Sequence, residues 1–180
     1  LYIMERRNAW LSYNEADEKA LEKLAKDYRT FLDNGKTERE CVSELSREAE
    51  AAGYVSLDKK LASGEKIQTG DKIYAVGMKK IMALFHIGED PMEKGMNILG
   101  AHIDSPRLDV KQNPLYEDTD LTYLDTHYYG GVKKYHWVAL PLAIHGVIVK
   151  KDGTVVNVTV GEAEDDPVVY ITDLLIHLAG

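Results

Sequence analysis

The apolar run Met96 to Ala101, closed by His102-Ile103-Asp104 and broken at Ser105-Pro106, constrains this chain more than any other stretch. Its apolar residues follow one another almost without alternation, the pattern of a central strand buried on both faces. In a strand, side chains at i and i+2 share a face. The spacing therefore predicts an imidazole and a carboxylate side by side where a buried strand surfaces. A metal-binding histidine whose second ring nitrogen is held by a carboxylate uses such a pair. A strand-end histidine capped by an aspartate, with no metal, is the competing reading, because one candidate ligand does not define a metal site.

The flanking sequence supplies the layers. Residues Asn14 to Asn34 read as an amphipathic helix, with Leu21, Leu24, Tyr28, Phe31 and Leu32 at helical spacing and Gly35 as its stop. Thr37-Glu38-Arg39-Glu40 is a capping-box pattern opening a second helix that carries Val42, Leu45 and Ala49 and ends at Gly53. Lys72 to Val76 and Ile81 to Phe85 read as neighbouring strands on either side of Gly77. Helices before an interior strand imply a layered α/β domain.

After Pro106 the texture changes. Lys111-Gln112-Asn113-Pro114 reads as a break, and beyond it the chain turns β-rich and aromatic. Asp152-Gly153 between two valine-rich runs predicts a hairpin with a two-residue turn. Residues Tyr170 to Ala179 read as a short helix with Thr172 as cap. A domain boundary is expected near Arg107 to Pro114, dividing the chain into 1–108 and 109–180.

Composition excludes several partners. The 180 residues carry a net charge of −8, which argues against nucleic acid, since phosphate neutralisation needs a basic face. No run of about 18 apolar residues exists, so no membrane span is expected. A signal-peptide order is missing at the N-terminus, and the single cysteine, Cys41, fits a reducing compartment. A cytoplasmic location is the expectation.

Gly100-Ala101-His102-Ile103-Asp104-Ser105-Pro106-Arg107-Leu108 resembles the first metal motif of the aspartyl aminopeptidase family, a group of dinuclear zinc exopeptidases. Tyr128-Tyr129-Gly130-Gly131, Trp137, His145-Gly146-Val147-Ile148-Val149 and Asp173 to Ala179 resemble the family's later landmarks in the same order. The resemblance runs from about Asn8 to the C-terminus. It implies an α/β fold: the N-terminal part of a layered zinc-peptidase domain, interrupted after residue 108 by a β-rich inserted dimerisation domain. Dimers of that domain assemble into a dodecamer, so a homo-oligomer is the expected state. His102 is then a ligand of one of two Zn2+ ions, with Mn2+ or Co2+ as alternatives. Asp104 orients it. His177, in an Ile-His-Leu context, reaches the partner subunit's active site and donates a hydrogen bond to the substrate carbonyl or developing oxyanion.

The family pattern also needs a carboxylate bridging both metals, a Glu-Glu doublet, a further acidic ligand and a late histidine. This sequence contains no Glu-Glu doublet. The resemblance therefore implies the N-terminal part of a longer metallo-aminopeptidase that removes N-terminal residues from peptides, acidic residues being one candidate preference. A related dinuclear aminopeptidase of neutral specificity and a non-catalytic oligomeric scaffold are the alternatives. His86, His127, His136 and His145 read as core or edge histidines. Ser105 has no nucleophile-elbow context. Trp137 and the tyrosines read as packing residues.

Overall fold

Helix α1, Glu15–Asn34, begins where Asn14 accepts hydrogen bonds from the backbone N–H groups of Ala16 and Asp17 while Asp17 accepts one from Asn14. This reciprocal cap satisfies donors that the first helical turn leaves open. Helix α2, Glu38–Ala51, opens in the same way at Thr37 and Glu40, where the sequence pattern predicts it. The computed structural model describes residues 6–174. They divide into two compact units, the first ending at Leu99 and the second beginning at Gly100.

In the first unit, strand β1, Val55–Ser56, leads through helix α3, Leu57–Ser63, to strand β2, Lys72–Gly77, which pairs parallel to β1. A parallel pair needs such a crossover. Strand β3, Ile81–His86, returns antiparallel along the other side of β2, giving the order β1-β2-β3. The expected neighbouring strands are therefore one hairpin, with Lys79 and Lys80 in the turn between them. A two-residue strand such as β1 is too short to leave a periodic signal in the sequence.

Helix α2 packs against β2. Cys41, Val42 and Ala49 are buried from α2, and Ile73 and Tyr74 from β2. The Tyr74 hydroxyl donates to Glu50 Oε1 at 2.8 Å, so its polar tip is satisfied. Lys60 and Asp71 form a half-buried ion pair at 2.7 Å, which together with the Gln68 N–H holds the Asp71 carboxyl below its ordinary value. Helix α1 keeps its apolar spacing but buries no side chain. Leu24, Tyr28 and Leu32 stand exposed.

Residues 95–106 form no strand, contrary to the reading of Met96 to Ala101 as a buried central one. Ile98 and Leu99 are exposed, Leu99 fully. A strand exists only where neighbours take its N–H and C=O groups. None of the described strands pairs with this segment.

The second unit is built on two hairpins. Strands β4, Arg107–Asp118, and β5, Leu121–Tyr129, pair antiparallel with a register shift between Val110 and Leu115. The Lys111 to Pro114 break is thus a bulge within one long strand, a place where proline is tolerated. Lys111 meets Asp125 at 3.0 Å across it.

The β4–β5 turn places Thr119 and Asp120 at φ of 51° and 61°. Both angles are required by a mirror-image two-residue turn, which asparagine and glycine adopt most readily. Replacing Thr119-Asp120 with Asn-Gly is expected to stabilise the unit by about 1 kcal/mol. Thermal unfolding followed by circular dichroism measures it. An unchanged midpoint would show that the turn stores no strain.

Strands β6, Ile144–Val149, and β7, Val155–Val160, form the hairpin that Asp152-Gly153 announces. The turn differs from expectation. Lys150 and Thr154 still pair, so the loop is three residues long, with only Gly153 at positive φ. It is a three-residue turn with glycine in the left-handed position. Within the expected 170–179 helix, the part up to Leu174 is not helical. Val169 bridges Leu142 and Ile171 bridges Val138, so their backbone groups are taken by neighbouring chain instead of a helical turn.

Candidate metal-binding site

His102 lies outside any helix or strand, with its side chain 83% exposed. Packing cannot orient such a ring, so hydrogen bonds must. Its Nδ1 stands 3.0 Å from the backbone carbonyl oxygen of Asp104 and 3.2 Å from Asp104 Oδ1. Both are acceptors when the acid is ionised, so Nδ1 is the donor, and in the neutral ring Nε2 then carries the lone pair. The expected meeting of His102 and Asp104 therefore occurs, but through a loop that folds back on itself. Strand alternation does not create it.

Asp104 is held from its other side. The Tyr129 hydroxyl donates to Asp104 Oδ2 at 2.7 Å. This hydrogen bond is the main reason that the Asp104 carboxyl lies below its ordinary value, with its own backbone N–H next and His102 a smaller contributor. Tyr129 is the last residue of β5 and pairs in register with Arg107, the first of β4. The Arg107 guanidinium sits 4.2 Å from the Tyr129 ring centroid, and its Nε donates to Asp109 Oδ1 at 2.8 Å. Gly130, at φ of 76°, ends the strand directly against Pro106, where an added Cβ would come 3.4 Å from the proline Cα. The loop carrying His102 and Asp104 is thereby seated on the end of the β4–β5 hairpin.

In the sequence, Tyr129 stands within a Tyr-Tyr-Gly-Gly stretch and reads as a packing residue. Its partner lies 25 residues away, and no local pattern announces a contact of that span. Arg107 stands in the sequence only as part of the loop motif. His177 lies outside the described residues.

The other histidines fall elsewhere. His127 faces Asp109 across the β4–β5 ladder at 3.9 Å. His145 lies on β6, opposite Thr159 of β7. Its Nε2 lies 2.8 Å from Glu162 Oε1. His86 ends β3, and the His136 ring packs edge-on to Tyr135. Trp137, with Leu108, Tyr128, Val132 and Ile171, lines a cavity of about 190 Å³.

Among the described residues, no three histidine, cysteine or carboxylate side chains gather as a metal cluster. His102 could still serve as one ligand of a larger set. Zinc takes a neutral imidazole nitrogen, and the other nitrogen then donates to an outer acceptor. His102 with Asp104 has that arrangement. No helix among the described residues is long and apolar enough to cross a membrane.

Residues 31–180 match the family described as aminopeptidase I zinc metalloprotease (M18). A Clostridium acetobutylicum protein, a probable M18 family aminopeptidase 1, is 57% identical over 177 residues, covering 98% of this chain and 38% of that protein. The crystal structure of aminopeptidase I from Borrelia burgdorferi B31 superposes with a TM-score of 0.85 at 38% identity, over 94% of this chain and 41% of that one. The structure of the S. cerevisiae mApe1 dodecamer shares the fold, with a TM-score of 0.69 at 23% identity over 86% of this chain and 36% of that one. This chain spans about two fifths of the length of the curated relatives it matches.

Proposed function

Because this chain belongs to the M18 family of zinc metallopeptidases, we propose that it supplies the N-terminal part of an aminopeptidase subunit in which His102 is one metal ligand. The observation that carries the reading is the His102 ring itself, with Nδ1 bonded to Asp104 and Nε2 left with its lone pair. The remaining ligands and the general base would come from the rest of the complete protein. A zinc pair, or manganese or cobalt in its place, supplies Lewis acidity toward the scissile carbonyl when bound. This chain's own residues hold the imidazole in the ligating tautomer. Asp104 does so directly.

In this reading Met96 to Ala101 is an interior strand of the complete catalytic domain, paired there by segments beyond this chain. The exposure of Ile98 and Leu99 supports it, since an apolar run is costly to leave in water. Residues 109–180 then belong to the inserted dimerisation domain. Its two hairpins are consistent with a β-rich insertion. A homo-oligomer built from dimers, up to a dodecamer, is part of the proposal, and mApe1, which shares this fold, is a dodecamer. The substrates are peptides, with an acidic first residue as the narrower proposal, and the setting is the cytoplasm.

His177 is proposed to act across the dimer, donating to the substrate carbonyl of the partner site. The test uses the complete protein, purified with its metal and assayed on peptides with acidic and neutral first residues. Release of the first residue that stops on chelation is expected. The His177→Phe variant should keep its zinc while turnover falls by about 100-fold or more, as loss of an oxyanion donor does. Mixing it with His102→Ala subunits should restore activity. A zinc-loaded protein that releases no residue from any peptide would leave the scaffold reading standing.

A further inference from the structure

We propose that Tyr129 is a positioning residue for the metal ligand, locking Asp104 so that His102 presents Nε2. The inference rests on the reading of His102 as a ligand. It goes beyond the ligand and its acceptor to the group that makes the acceptor rigid.

His102 and Asp104 both lie on a loop, and the imidazole is almost entirely in solvent. A carboxylate on such a loop can rotate about two bonds and present either oxygen, or neither, to its neighbour. It can fix a ring only if something fixes it. The Tyr129 hydroxyl takes Oδ2, which leaves Oδ1 directed at His102 Nδ1.

The phenol is in turn restrained by secondary structure. Tyr129 closes the β5 ladder opposite Arg107, whose guanidinium covers the ring face, an attraction between a cation and the negative face of the π-system. The ion pair of Arg107 with Asp109, two residues along the same strand face, keeps the guanidinium there. Rigidity thus passes from a hydrogen-bonded hairpin, through a phenol, to a loop carboxylate and a ligand ring. Outer partners of ligating histidines change metal affinity by about 10- to 100-fold when removed.

The test is a cycle in the complete, metal-depleted protein. Zinc dissociation constants are measured by competition with a chelator for the site that His102→Ala abolishes. Tyr129→Phe, which removes only the hydroxyl, is expected to weaken zinc binding by about 10-fold or more. In an Asp104→Ala background the same substitution should leave zinc affinity unchanged, because the hydroxyl reaches the ligand ring through that carboxylate. Wild-type affinity in Tyr129→Phe, with zinc lost in His102→Ala, overturns the inference and leaves the metal reading intact. Equal weakening with and without Asp104 also overturns it, since the tyrosine would then act on the fold at large. Undiminished zinc in His102→Ala would instead refute the metal reading.

Discussion

Replacing His102 with alanine in the complete protein is expected to lower bound zinc and peptidase activity together. The geometry gives the reason. Nδ1 is committed to Asp104, so all metal-binding capacity of the ring resides in Nε2, and alanine removes it. Outer groups alone are worth about 10- to 100-fold in affinity, so loss of the ligand itself should exceed about 100-fold. Elemental analysis of the dialysed protein, beside turnover of a peptide substrate, checks both quantities. The variant should fold as the parent does, because an exposed side chain outside every element contributes little packing. Full metal occupancy in the variant would remove His102 from the ligand set.

The second large effect belongs to Ile73. It is 2% exposed, lies on the central strand of β1-β2-β3, and pairs with Val55 on one side and Phe85 on the other. Helix α2 covers the same strand. Ile73→Ala should cost about 2–5 kcal/mol through lost burial and the cavity left behind. A small domain has only about 5–15 kcal/mol in total, so this one change threatens the first unit as a whole. Ile73→Val, which removes a single methylene, should cost about 0.5–1.5 kcal/mol and gives the graded control. Urea unfolding followed by circular dichroism reads both. A loss below about 1 kcal/mol for the alanine variant would show that the site collapses around the deletion and is not close-packed.

The parts of the fold that could be read from the sequence are those decided locally. Asn14 and Thr37 cap their helices with side chains three residues away, and the β2–β3 and β6–β7 hairpins carry their turn residues between alternating runs. The parts that differ from the sequence pattern depend on distant partners. Met96 to Ala101 has the composition of an interior strand, but composition cannot say whether a neighbour is present to pair with it. The Tyr170 segment reads as a helix, yet up to Leu174 it is not one, because Val138 pairs with Ile171. At the candidate site, the His102 and Asp104 pair was visible because the residues are two apart. Tyr129 is not, because its place beside Asp104 is set by the β4–β5 register and not by adjacency in the chain.

The bulge at Lys111 to Pro114 has one more consequence. Before it, Arg107 and Asp109 oppose Tyr129 and His127. After it, Tyr116 and Asp118 oppose Tyr123 and Leu121. On β5 these partners are all odd-numbered, while on β4 the odd set gives way to the even one. The ribbon is therefore two separately registered halves joined by a slack link. An insertion or deletion within that link would change its length without reversing which side chains point where at the Tyr129 end. Drift in the outer half of the ribbon is in this way insulated from the half that supports Asp104.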